Sequence, residues 1–451
     1  MSIKNKDIFE NAPIPKAVAT LALPTMLSML VTIFYNMADT FFVGQTGDAN
    51  QVAAVSLAMP VFILIMAVGN IFGVGGSSYI SRSLGEGKLE EVKKTSAFCF
   101  YIGIVSGLVV MVFFLLAMNI VLKLIGADPN TFDFAKEYLF YVALGSVFIV
   151  VSTAFGNIVR AEGAAKVSMT GMMIGTVVNI VLDPIMILTL NMGVAGAAIA
   201  TIIGNISSTI FYIVYIKKGN TVLSINRHYL KITSRIVRNV VTIGIPASLN
   251  SVLMSFSNII LNNLLVSYGN NPVAAMGVAM KANMLVVFIQ MGLGMGVQPL
   301  IGYCFGSGNI NRLKGVMKFS MLCNVIIGTI ITVAYFFSAD SIVKIFIQDQ
   351  QVVEYGAKML KVLMLSGPVI GIMFVFSFSF QAMGKAIQSL ILSISRQGFV
   401  FLPVVVIANK LFGLDGIVFA QPVADIVSII IALVMFIQII ASEHKKHGEK
   451  A

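Results

Sequence analysis

The chain reads as long apolar stretches separated by short polar, charged or glycine-bearing breaks. Runs long enough to cross a bilayer as helices, about 20 residues each, lie at roughly 17–44, 52–82, 95–124, 134–159, 165–190 and 195–217. A second set lies at roughly 236–267, 273–304, 316–338, 355–381, 386–410 and 415–441. Large and small apolar residues mix at helical spacing, and polar positions do not alternate every second residue as a membrane β-barrel requires. The pattern predicts an all-α polytopic membrane protein with twelve transmembrane helices. Composition agrees, with 58% hydrophobic and 11% charged residues and a mean hydropathy of +0.94.

Laying the second half over the first gives matches at a nearly constant offset. Leu23-Pro24 meets Ile245-Pro246 at 222 residues, and Gly73-x-Gly75 meets Gly294-x-Gly296 at 221. Arg160-Ala161-Glu162-Gly163 meets Gln381-Ala382-Met383-Gly384 at 221, and Gly193-x-x-Gly196 meets Gly413-x-x-Gly416 at 220. Each match alone is weak; the constancy of the offset carries the argument. Six helices per copy is an even number, so both copies enter from the same side, a parallel repeat of a kind that recurs in transporters. Residues 1–217 are expected to form an amino-terminal lobe, 218–235 a polar, basic linker, and 236–451 a carboxy-terminal lobe.

With the amino terminus placed in the cytoplasm, 22 of the 30 Lys and Arg residues fall on that side and 6 outside, Lys281 and Arg396 lying within spans. Such an excess marks cytoplasmic loops. Both termini are therefore expected in the cytoplasm of a bacterial-type plasma membrane, with no cleaved leader because the first apolar run is too long for one. The net charge of +11 then reflects topology and contact with anionic lipids rather than nucleic-acid binding. Cys99, Cys304 and Cys323, an odd number in or beside spans, read as packing residues. Gly73-Val74-Gly75-Gly76-Ser77-Ser78 lacks the lysine of a phosphate loop and reads as close helix packing. No catalytic pair or zinc motif stands out, so neither an enzyme nor a cofactor is expected beyond a transported ion. A monomer is expected.

An ionisable group inside a span costs roughly 2.5–3.5 kcal/mol and marks a functional site by default. Counting inward from the outer helix ends at about 1.5 Å per residue puts Asp39, Asp183 and Thr201 at a common depth of roughly 8–12 Å. Asn179 shares a face with Asp183 at i, i+4, and Asn36 with Asp39 at i, i+3. Two carboxylates with amide and hydroxyl oxygens form a hard-oxygen site able to hold Na+, and the same carboxylates could hold a proton. The plainer alternative is that each aspartate only hydrogen-bonds a neighbouring helix. Met26, Tyr35, Asn36, Asn157, Met172 and Gln381 are candidates for a substrate cavity. The second half has Leu261 and Leu402 at the repeat positions of Asp39 and Asp183, so the acid pair is not duplicated. It carries Lys281, Arg396 and Asp425 instead, expected as buried charges forming either a structural ion cluster or a positive site for an anionic substrate.

These residues resemble the multidrug and toxic compound extrusion (MATE) family, in the branch typified by DinF and MepA. The resemblance spans essentially the whole chain. It rests on Leu23-Pro24 followed by Asp39, Arg160-Ala161-Glu162-Gly163, Asn179-x-x-x-Asp183-Pro184, the Gly193-Val-Ala-Gly196 turn with Thr201, and Gln381-Ala382-Met383-Gly384. It implies a twelve-helix, two-lobe antiporter that exports amphipathic, often cationic drugs against an inward H+ or Na+ gradient. By that resemblance Asp39, Asn179, Asp183 and Thr201 match the amino-lobe cation site. The NorM-like branch carries acids in helices 7 and 10, where this chain offers Asn258, Asn262 and Gln381. The runner-up function is a flippase for lipid-linked sugars, which would use Lys281 and Arg396 to hold a diphosphate.

Overall fold

The computed structural model describes residues 3–219 and 221–448; the side chains of Asn36, Asp39 and Thr40, and of residues 3–5 and 443–448, lie outside the described set. After a short helix at Ile3–Glu10, the first half contains α1 (Ile14–Gly44), α2 (Ala49–Gly85), α3 (Leu89–Leu124), α4 (Phe132–Leu144 and Ser146–Ala161), α5 (Ala165–Asp183) and α6 (Gly193–Lys217). The second half contains α7 (Ser234–Val266), α8 (Asn270–Gly306), α9 (Ile310–Phe346), α10 (Gln350–Leu363 and Gly367–Ala382), α11 (386–412) and α12 (414–448). No strand occurs among the described residues.

Several starts are set by side chains that accept from the first unpaired backbone amides. Asp48 accepts from Asn50, Thr233 from Ile236, Asn309 from Arg312 and Asp349 from Val352. The stretch from Ala386 to Ser442 is 57 residues long, about 85 Å as one helix and far more than a bilayer can hold. Gly413, at φ 59° and ψ −136°, breaks it into two crossings. Gly193 performs the matching turn between α5 and α6 with φ 51°. Counting α4 as one span bent by 57°, the described residues make twelve crossings, as the hydropathy pattern predicts.

The buried apolar side chains form three groups. One is shared by both halves and runs from Phe9, Leu21 and Ile80 through Val240 and Leu300 to Phe376 and Ile440. The other two are private: residues between Val43 and Ala198 in the first half, and between Leu261 and Ala424 in the second. The shared core lies at the end of the bundle where both described chain ends sit, and the private cores lie at the opposite end. The two halves therefore share a buried core at the terminus side.

Glycines make the join close. A Cβ on Gly75 of α2 would collide with the carbonyl of Val240 on α7, and one on Gly244 of α7 with the carbonyl of Ile71 on α2. The glycine-rich stretch around Gly73 thus packs helices, as its sequence implies. Across the same seam the Ser78 hydroxyl donates to the carbonyl oxygen of Gln381, Ser248 donates to that of Ala67 at 2.7 Å, and Arg82 reaches Asn239 at 3.3 Å.

The linker is strapped to the first half. Glu162, 1% exposed in the turn between α4 and α5, accepts from Tyr215 Oη (2.7 Å), Thr221 Oγ1 (2.6 Å) and the Val222 amide (3.2 Å). Tyr101 donates to the Ile225 carbonyl at 3.0 Å, and Val222 and Leu223 are buried. Lying outside the spans, the Glu162 carboxyl is held above the usual carboxylate range. Burial is the largest cause, outweighing the lowering by its three donors.

Candidate functional site

The site grows from the way α5 ends. Pro184 has no amide hydrogen and its ring opposes a regular helical turn. The chain widens into a π-helical turn over Pro184–Thr189, in which the Leu190 amide donates to Ile185 at 2.8 Å. Such turns recur at functional positions, and this one begins directly after Asp183. Small residues then draw α6 against α5: a Cβ on Gly204 would stand 2.6 Å from the carbonyl oxygen of Gly175. That approach brings Thr201 across from Asn179.

Asn179 Nδ2 donates to Asp183 Oδ1 at 3.2 Å and to Thr201 Oγ1 at 3.4 Å. From α1, the Tyr35 hydroxyl lies 3.3 Å from Thr201 Oγ1. Asp183 is 0% exposed and Asn179 and Thr201 2% each, so the group is closed to bulk water. Asn179 Oδ1 has no donor among the described residues, which leaves an amide oxygen beside the carboxylate. Three helices thus converge carboxylate, amide and hydroxyl oxygens, a set suited to a proton or a hard cation. The helix α1 that carries Asp39 is the one that supplies Tyr35, while the Asp39 and Asn36 side chains themselves lie outside the described residues.

The other expected residues separate. Thr32 donates to Met172 Sδ at 3.6 Å, placing Met172 on the α1–α5 contact. Met26 sits at the seam, where a Cβ on Gly292 would lie 2.8 Å from its Cα. Asn157 donates to Thr153 and reaches Asn70 at 3.5 Å. Gln381 lines a cavity of about 170 Å3 between the halves, which Met26, Tyr35, Asn157 and Met172 do not line. Polar groups that went unnoticed in the sequence line it too, among them Asn70, Asn250, Ser251, Ser377 and Ser393. All are polar residues inside apolar runs, the same signal that exposed the aspartates.

The carboxyl-half charges need a correction. Arg396 and Asp425 are buried and paired, Nε to Oδ1 at 2.8 Å, and Gln421 donates to the same oxygen at 3.0 Å. Lys281 is exposed and makes no ion pair among the described residues, so it is not a buried charge and not part of that cluster. A long ammonium side chain can leave an apolar helix face while its stem stays on it, which hydropathy alone cannot register.

Fold and site together define a class: polytopic helical membrane proteins built from a duplicated six-helix unit, with a buried polar site in one half. The chain belongs to the MatE family, whose model matches it twice, at residues 24–185 and 246–407, the offset of the internal repeat. It is similar to the Multidrug export protein MepA of Staphylococcus aureus (strain MRSA252), 36% identical over 417 residues covering 92% of each chain. The protein of that name from Staphylococcus saprophyticus is 33% identical over 427 residues, 95% of this chain and 94% of that one. Among solved structures, the outward-facing conformation of a multidrug resistance MATE family transporter of the MOP superfamily is 26% identical. It superposes with a TM-score of 0.93 over 98% of this chain and 99% of that one. The structure of MATE in the straight conformation gives 26% identity and a TM-score of 0.92 over 99% and 100%.

Proposed function

We propose that the protein is a multidrug efflux antiporter that exports amphipathic, mostly cationic compounds in exchange for H+ or Na+. It would sit in a bacterial-type plasma membrane with both termini in the cytoplasm. The observation that carries the ion coupling is the buried Asn179–Asp183–Thr201 group with Tyr35 beside it, joined in this reading by Asp39. The relatives named for multidrug export support the cargo. Rocking of the two halves about the glycine seam would expose the space between them to alternate sides. An ion that binds the amino-half oxygens and a drug that favours the other state each lower affinity for the other, and that linkage makes an exchanger. The flippase alternative needs Lys281 and Arg396 to converge on one diphosphate, and Lys281 neither lines the cavity that Arg396 lines nor joins the Arg396–Asp425 pair.

Inverted membrane vesicles test the reading. Adding a lipophilic cationic dye to vesicles holding a preformed ion gradient should dissipate it, and Asp183→Asn should abolish the response. Normal exchange by that variant would refute the coupling role. Separate Na+ and pH gradients then identify the ion.

A further inference from the structure

We infer that Arg396 forms a carboxylate-binding subsite in the cavity between the halves and sets the preference for an aromatic amphiphile with a free carboxylate over the same molecule with that group esterified. The inference rests on the efflux reading and specifies its substrates.

Arg396 lies on a second π-helical turn, Ser395–Phe399, is 8% exposed and lines the cavity. Asp425 occupies only its Nε edge. The two terminal nitrogens make no hydrogen bond among the described residues, and that fork matches the two oxygens of a carboxylate. Asp425 fixes the guanidinium from behind and Phe374 flanks it, 5.4 Å from ring centre to Cζ, so little side-chain freedom remains to be lost on binding. The walls beside it are Met291, Met295, Met373 and Phe378, polarisable surfaces that adapt to a flat apolar body. A cavity of about 170 Å3 is smaller than a typical drug pocket; it takes the carboxylate-bearing ring and leaves the rest of the molecule in the cleft.

Two dyes that differ by one group provide the test: rhodamine B, a zwitterion with a free carboxylate, and its methyl ester, a cation. Fluorescence anisotropy titrations in detergent would compare the full chain, Arg396→Lys, and the double variant Arg396→Gln with Asp425→Asn, which removes both charges together and strands neither. The double variant should bind rhodamine B about tenfold more weakly, roughly 1.4 kcal/mol, and the ester within about twofold of the unaltered chain. Arg396→Lys, keeping the charge without the fork, should lose part of the rhodamine B affinity, and it carries the test if the double variant does not fold. Equal losses for the two dyes, or none, would overturn the subsite, as would an unaltered chain that binds only the ester. That last result would leave the efflux reading standing, whereas an unaltered chain that neither binds nor moves either dye would remove both.

Discussion

Replacing Glu162 separates two ideas about how the linker is held. Three donors converge on a carboxylate that is nearly inaccessible. Glu162→Ala leaves the Val222 amide with no acceptor and sets both hydroxyls adrift. A buried donor without a partner costs about 1–3 kcal/mol, and since the hydroxyls can rotate elsewhere the net loss is about 3 kcal/mol, on the order of a hundredfold in local opening. Glu162→Gln keeps the shape and an acceptor oxygen while removing the charge that burial penalises, so it should stay within about threefold of the unaltered chain. Hydrogen exchange of the amides in residues 221–225, in detergent and corrected for intrinsic chemistry, reads this opening directly. The pH dependence has a definite sign. The strapped carboxyl is held above its ordinary range, so the closed strap binds the proton more tightly than the open one. Protection is fullest below the ordinary carboxylate range and declines as pH rises through the raised value. A glutamine variant that opens as readily as the alanine variant, or protection that grows with pH, would refute the reasoning.

Gly413→Ala forces a side chain into a backbone region that only glycine adopts easily, at a cost of about 1–3 kcal/mol. Its melting temperature in detergent should fall, while that of Gly44→Ala, where a Cβ meets nothing within 4 Å, should not. Gly75→Ala pushes a methyl into the Val240 backbone. Spin labels on α2 and α7 at the terminus side should report a larger share of molecules with the halves parted; an unchanged distance distribution would show that the seam yields without cost. Lys281→Ala removes an exposed side chain with no ion pair among the described residues and should change stability by less than about 0.5 kcal/mol. A large drop in melting temperature would restore Lys281 to a buried cluster.

The helices and their duplication are legible in the sequence because lipid demands long apolar segments and excludes other backbone. Asp183 and Thr201 could be grouped by depth alone, since rise per residue is fixed and the two lie at similar distances from the turn that joins their helices; Asn179 joins them by its i, i+4 spacing from Asp183. Depth does not give rotation about the helix axis, however. That is why Lys281, deep in an apolar run, reads as a buried charge though it is exposed, and why Met26 reads as a cavity residue though it packs at the seam. The cavity residues Asn70, Ser377 and Ser393 come together only through the crossing of helices from both halves. The linker reads as polar chain because its anchor, Glu162, lies some sixty residues away in a turn whose sequence signals only the repeat.

The division of the interior into one common core and two private ones also sets an order of assembly. Each private core draws on a single half, so its helices can settle against one another once that half has entered the membrane. The common core brackets the whole chain, from Phe9 near the start to Ile440 near the end. It cannot be completed before the final helix arrives. The joining of the two bundles is therefore the last step of assembly, and under the proposed rocking of the halves the contacts made last in folding would be the ones that part and re-form.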